Sequence, residues 1–139
     1  MRITLSQEWS LEVPEDMQYR KEDDHVVFWK PGCTLLTTIF AYSGEKHRQI
    51  LLANLKARAE ADKLESIIEN DGQIQRYAYL KHEEIMPGSV RLALHAFTTA
   101  KYGCLQTSFY FDVPDDLHEC LLMWKSVEWT DCSLSDTMR

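Results

Sequence analysis

Three stretches of this chain alternate apolar and polar residues with period two, and that pattern constrains its fold more than any other feature. In residues 2–13, Ile3, Leu5, Trp9, Leu11 and Val13 fall on one side, and Arg2, Thr4, Ser6, Glu8, Ser10 and Glu12 on the other. Residues 90–98 repeat the pattern with Val90, Leu92, Leu94 and Ala96 on one face. Residues 104–111 set Leu105, Phe109 and Phe111 against Gln106, Ser108 and Tyr110. Successive side chains of a strand point to opposite faces, so each stretch reads as a half-buried strand that needs a layer over its apolar side. The first stretch is too long for one strand. Twelve residues at ~3.3 Å each would span roughly 40 Å, so a bend or break is expected near Ser6 and Gln7. Pro14 has no N–H to donate and ends the ladder.

The rest of the chain fills in around these strands. Residues 15–24 are polar and read as a loop, 25–30 as a strand, and 34–42 as another, joined through Pro31-Gly32 as a hairpin. Ser43 is the expected N-cap of one long helix, about residues 44–70. Its apolar stripe reads Ile50, Ala53, Ala57, Ala61, Leu64 and Ile68, widened by Leu51, Leu55 and Ala59. Lys56 with Glu60 and Arg58 with Asp62 are spaced as solvated i,i+4 pairs, and Gly72 is the expected left-handed cap. Residues 73–80 form a strand and 82–89 a polar loop containing Pro87-Gly88. The last two alternating stretches turn at Tyr102-Gly103 as an antiparallel hairpin. Pro114, Asp115 and Asp116 open a C-terminal helix, about residues 114–127, with Leu117, Leu121, Trp124 and Val127 as its buried stripe and Cys120 in the core. Short links between consecutive strands mean a mostly antiparallel, twisted sheet, and two one-sided helices must cover it: an α+β domain over residues 1–129, with a mobile tail at 130–139.

Composition narrows the function classes. The 139 residues carry a formal charge of −7, which argues against nucleic-acid binding and permits a basic protein partner. No apolar run reaches the ~18 residues of a membrane span, so no membrane association is expected. The opening residues show no export signal, and the four cysteines form no Cys-x-x-Cys unit. Reduced thiols and a cytoplasmic home follow as the expectation.

Catalytic and metal signatures are weak. There is no Gly-x-Ser-x-Gly elbow to expose a serine. Lys81-His82-Glu83-Glu84 lacks the i,i+4 histidine pair of a metal helix, and the side chains of His118 and Glu119 diverge on a helix. His95 is expected to hydrogen-bond locally. No catalytic residue, metal or cofactor is expected. What remains is binding chemistry. Trp29 and Tyr110 are candidate anchors if one sheet face is open, and the acidic residues Asp23, Asp24, Glu83 and Glu84 are candidates for capturing a basic partner.

Trp9-Ser10-Leu11-Glu12-Val13-Pro14-Glu15-Asp16, a polar loop and then Val26-Val27-Phe28-Trp29-Lys30-Pro31 resemble the opening of bacterial proteins of the PsbP/DcrB-like fold, including the effector-associated (Eag) chaperones of type VI secretion. Residues 105–111, Pro114-Asp115-Asp116 and Met123-Trp124-Lys125-Ser126-Val127 resemble that fold's closing strand and helix, whereas residues 73–98 carry no such likeness. The resemblance implies a non-catalytic binding protein. The leading expectation is an immunity protein that blocks a basic toxin encoded nearby. A secretion chaperone for an effector is the alternative, and a small enzyme or ligand-binding domain a third. A homodimer stays open.

Overall fold

The computed structural model describes residues 1–132. The order is β1 (Arg2–Thr4), β2 (Trp9–Glu12), β3 (Gln18–Lys21), β4 (His25–Lys30), β5 (Cys33–Ala41), α1 (Glu45–Ala61), β6 (Glu65–Asp71), β7 (Ile74–Met86), β8 (Ser89–Thr99), β9 (Gly103–Phe111), a 3-10 turn (Pro114–Asp116), α2 (Leu117–Lys125) and β10 (Glu128–Trp129). Seven strands form one sheet in the order β3-β4-β5-β9-β8-β7-β6, and β1-β2-β10 form a small second sheet. Every pairing is antiparallel. The α+β class with a long helix and a C-terminal helix holds.

The first alternating stretch breaks where strand length required. Ser6 Oγ accepts the N–H groups of Glu8 and Trp9 at 3.2 Å each, and the chain restarts as β2. The Pro31-Gly32 turn joins β4 to β5, with Lys30 opposite Cys33.

The segment read as one long helix divides in two. α1 ends at Ala61, and residues 65–71 are the edge strand β6. The stop is a Schellman motif: Leu64 N–H reaches Ala59 O at 2.9 Å and Lys63 N–H reaches Glu60 O at 3.1 Å. Lys63 takes the left-handed conformation, φ 55°, that glycine usually supplies. Gly72, at φ 63°, instead sits at the first corner of the two-residue β6–β7 hairpin, with Asp71 opposite Ile74.

Other boundaries move as well. Part of the expected 15–24 loop is the exposed edge strand β3, and the expected 82–89 loop is mostly an extension of β7 that turns at Pro87-Gly88. The N-cap of α1 is Gly44, while Ser43 Oγ hydrogen-bonds His47 Nδ1 at 2.5 Å. Thr130 is still tied to Glu8 by a 2.8 Å backbone bond; the expectation of a mobile tail otherwise falls on residues 133–139, outside those described.

The large sheet carries a layer on each side, and the one formed by α1 covers only part of its face. On one face, α2 and the small sheet enclose the main core of Trp9, Leu11, Phe28, Leu35, Leu94, Leu105, Phe109, Phe111 and Trp124. On the other face, α1 sets Leu55 and Ala59 on Tyr77, Tyr79, Phe97 and Cys104. The inward stripe of α1 therefore runs through Arg48, Leu55 and Ala59, with Ile50, Ala53, Ala57 and Ala61 exposed. Arg48 explains the rotation. Its guanidinium is buried and donates to Thr99 Oγ1, Gln73 O, Thr99 O and Glu45 Oε2 at 2.8–3.1 Å. Four good donor contacts make that burial tolerable and fix the start of the helix on the sheet. Neither Lys56 with Glu60 nor Arg58 with Asp62 closes to an ion pair, Asp62 being the C-cap.

All four cysteines are free thiols, with Cys33, Cys104 and Cys120 buried. A hydrogen bond from Cys120 holds the Cys33 thiol below its ordinary range and raises that of Cys120. Burial pushes the Cys104 thiol up to about 12. Among the described residues, no helix is long and apolar enough to cross a membrane.

Candidate functional site

The face of the large sheet that carries α1 is only partly covered by it. The helix rests on β7, β8 and the start of β9, leaving Val27, Trp29, Thr34, Leu36 and Tyr110 half-exposed beside it. Strand register sets these residues in rows. Trp29 lies opposite Thr34, Thr34 opposite Tyr110, and Tyr110 opposite Ala93. The next row reads Val27, Leu36, Ser108, His95 and Tyr79. The two candidate anchors thus share a face with one strand between them. That row joins the β4–β5 hairpin to β9, which lies about 60 residues further along the chain.

His95 is the hub of this face. Its Nδ1 lies 3.0 Å from Ser108 Oγ, and its Nε2 3.0 Å from Glu83 Oε1. Gln106 Nε2 donates to the same Ser108 Oγ at 3.1 Å. The network is self-consistent with Ser108 O–H donating to Nδ1 and Nε2–H donating to Glu83. The His95 ring packs 5.3 Å from Tyr79 and edge-on 5.9 Å from Tyr110, and the Arg91 guanidinium lies over the Tyr110 ring at 4.6 Å. Burial raises the Tyr110 phenol above its ordinary range, and Glu83 adds to the effect. The local bonding expected of His95 is what the geometry shows.

An acid–histidine–serine chain is the arrangement that activates a serine nucleophile, so the alignment bears weighing. Ser108 is only 5% exposed. β9 is hydrogen-bonded to strands on both sides, which leaves no pair of free backbone N–H groups to hold an oxyanion at Ser108. The chain locks the aromatic rows in place without the parts that acyl transfer needs.

The acidic candidates do not gather. Asp23 and Asp24 occupy the β3–β4 turn, and Glu83 and Glu84 lie toward the far end of β7. Register puts these groups about seven residues apart along the strands and four strands apart across the sheet, roughly 30 Å. Glu83 is committed to His95, and Glu84 Oε1 accepts the Gly88 N–H at 3.2 Å in the turn. Of the four, Asp23 and Asp24 are exposed and have no such engagement.

Between α1 and the sheet lies a cleft of about 570 Å³. Leu51 and Leu55 form its helix wall together with Asn54 and Arg58, and Phe40, Tyr79, His95, Phe97, Cys104 and Gln106 form the sheet side. Leu51 and Leu55 were legible as part of the apolar stripe and Arg58 as a solvated partner of Asp62, whereas Asn54 carried no signal and nothing local placed the four around one cleft. A second recess, about 510 Å³, lies by the β6–β7 turn and is polar. Its cations are internally matched: Arg2 with Glu128, Arg76 with Asp71 and Lys125 with Glu69. Among the described residues, no three His, Cys, Asp or Glu side chains converge to hold a metal ion.

Neither a protein-family model nor a curated protein matches the sequence. Solved structures do. The likeness is one of fold. A protein from Bacteroides thetaiotaomicron VPI-5482 superposes with a TM-score of 0.66 at 14% identity over 88% of this chain, which spans 45% of that one. LpqN of Mycobacterium tuberculosis, involved in cell envelope biogenesis, superposes with a TM-score of 0.62 at 11% identity over 94% of this chain and 90% of its own.

Proposed function

We propose that this is a non-catalytic binding protein whose partner docks on the half-open sheet face beside α1. The observation that carries the reading is the row Trp29–Thr34–Tyr110, with Tyr110 braced by His95 and Arg91. Half-exposed aromatics on a rigid platform are what interface anchors require: large contact area at small entropic cost. The specific role we favour is an immunity protein acting in the cytoplasm on a basic toxin encoded nearby. The net charge of −7 and the free acids Asp23 and Asp24 support it, as does the resemblance to PsbP/DcrB-like binding proteins. A secretion chaperone is the second reading, favoured by the apolar lining of the cleft, since a chaperone must shelter an apolar segment.

The test is co-expression and pull-down with the neighbouring gene product. A nanomolar-class complex that relieves toxicity supports immunity, and Trp29→Ala or Tyr110→Ala should then speed dissociation. Binding confined to a non-toxic N-terminal part, with higher yield of the product, transfers the assignment to the chaperone. No binding and no relief ends both. The envelope process named for LpqN would require a different partner, and cell fractionation separates that setting from a cytoplasmic one.

A further inference from the structure

We infer that the cleft between α1 and the β5–β9–β8 face is a binding site for a monocarboxylate with a long acyl tail. The inference rests on the cleft itself and stands or falls separately from the protein partner. The cleft's volume, about 570 Å³, is that of a small-molecule site. Its floor is apolar and sealed, with Phe97 and Cys104 buried, and Leu51 and Leu55 wall it on the helix side. At its end Phe40 is 45% exposed, a large aromatic left in water by the protein alone.

The polar groups of the cleft decide the ligand's head. His95 and Gln106 are already spent on Ser108 and Glu83. Arg58 is not. Among the described residues its guanidinium has no hydrogen-bond or ion-pair partner, and neither has the amide of Asn54, one helical turn before it. Asp62, the acid that helical spacing would offer Arg58, occupies the C-cap position and makes no ion pair with it. Arg58 is the cation that lines this cleft, and its forked donors match a carboxylate in two parallel bonds. The head therefore sits on Arg58 with Asn54 beside it, and the tail runs across Phe97 toward Phe40. A cationic head would face Arg58 as a like charge, and a neutral one would leave it unpaired.

The experiment titrates the intact protein with sodium octanoate, sodium decanoate, decanol and decyltrimethylammonium bromide below their micellar or solubility limits, by calorimetry and amide chemical shifts. Decanoate should bind once per chain and shift Leu51, Leu55 and Phe97. Each methylene that finds the wall tightens binding about fourfold, so decanoate should exceed octanoate about fifteenfold. Arg58→Gln, an exposed position, should weaken decanoate at least tenfold and abolish its advantage over decanol. Asn54→Phe should block the cleft for every probe while leaving the melting temperature in place. Absence of decanoate binding overturns the proposal. So do equal affinities for all three decyl probes, shifts confined to another surface, or decanoate affinity unchanged in Arg58→Gln.

Discussion

Trp124 shows how one residue can tie layers together. It is fully buried among the main-core side chains, and its indole N–H donates to Phe97 O at 3.4 Å, reaching the sheet strand that also carries the helix-side cluster. Trp124→Ala removes a large apolar volume and a donor together and should destabilise by about 3–5 kcal/mol. Leu121 is only half-buried against the same core, and Leu121→Ala should lose about 2 kcal/mol. Chemical denaturation of both variants checks this. Equal losses would mean that α2 packs on another face. The sequence stripe placed both residues inward. It could not rank them, because the ranking depends on how far the small sheet closes over each.

At the scale of elements, the end of α1 is the informative place. Lys63 holds a left-handed conformation that glycine adopts without steric cost. Lys63→Gly should therefore stabilise by about 0.5–1 kcal/mol, read as a raised melting temperature; a lowered one would contradict the Schellman geometry. The same residue explains why this end was illegible. With no Gly or Pro at 62–64, helical spacing runs unbroken from Ala57 through Leu64 to Ile68 and hides a strand in which only Ile67 and Ile68 are apolar. β3 was hidden for a similar reason, since all its residues are exposed and it has no apolar side to alternate. The central strands were legible because burial on one or both faces imposed the period, and Pro31-Gly32 and Pro87-Gly88 marked their turns. Of the site, Trp29 and Tyr110 were legible singly. Their shared row depends on the β5–β9 pairing, which no local pattern encodes, and Glu83 meets His95 only because β7 extends through what reads as a polar loop.

α2 offers a pH test at the same scale. Lys30 of β4 pairs with Glu119 of α2, and that hydrogen bond raises the lysine above its ordinary value of 10.5. A raised lysine contributes stability that is complete below its ordinary value and lost as pH climbs through the folded-state value. Glu119 is 39% exposed, so the contribution is about 1 kcal/mol or less. Glu119→Gln should lower stability at neutral pH by that amount, and the gap to the native protein should close above pH 10.5. A gap that persists into strong alkali would assign the loss to packing.

At the scale of the whole molecule, the proposed binding role divides between charge and anchors. In that proposal the net charge of −7 acts at a distance, whereas Trp29 and Tyr110 act only on contact. Long-range attraction to a basic partner raises the encounter rate and is screened as the Debye length shrinks from ~30 Å at 0.01 M salt to ~8 Å at 0.15 M. If the proposed basic partner is the right one, association should therefore slow about tenfold over that range while dissociation changes little. Asp23 and Asp24 are the acids to reverse. Glu83 and Glu84 hold His95 and the β7–β8 turn, so changing them would disturb the fold as well as the field. Each reversal to lysine adds two positive charges, so the double variant stands at −3 and should lose most of the salt dependence. Trp29→Ala and Tyr110→Ala should leave the salt slope alone and shorten the lifetime of the complex. Stopped-flow association at several salt concentrations separates the two effects. A flat salt profile in the native protein would remove electrostatic capture from the account, even if the complex itself forms.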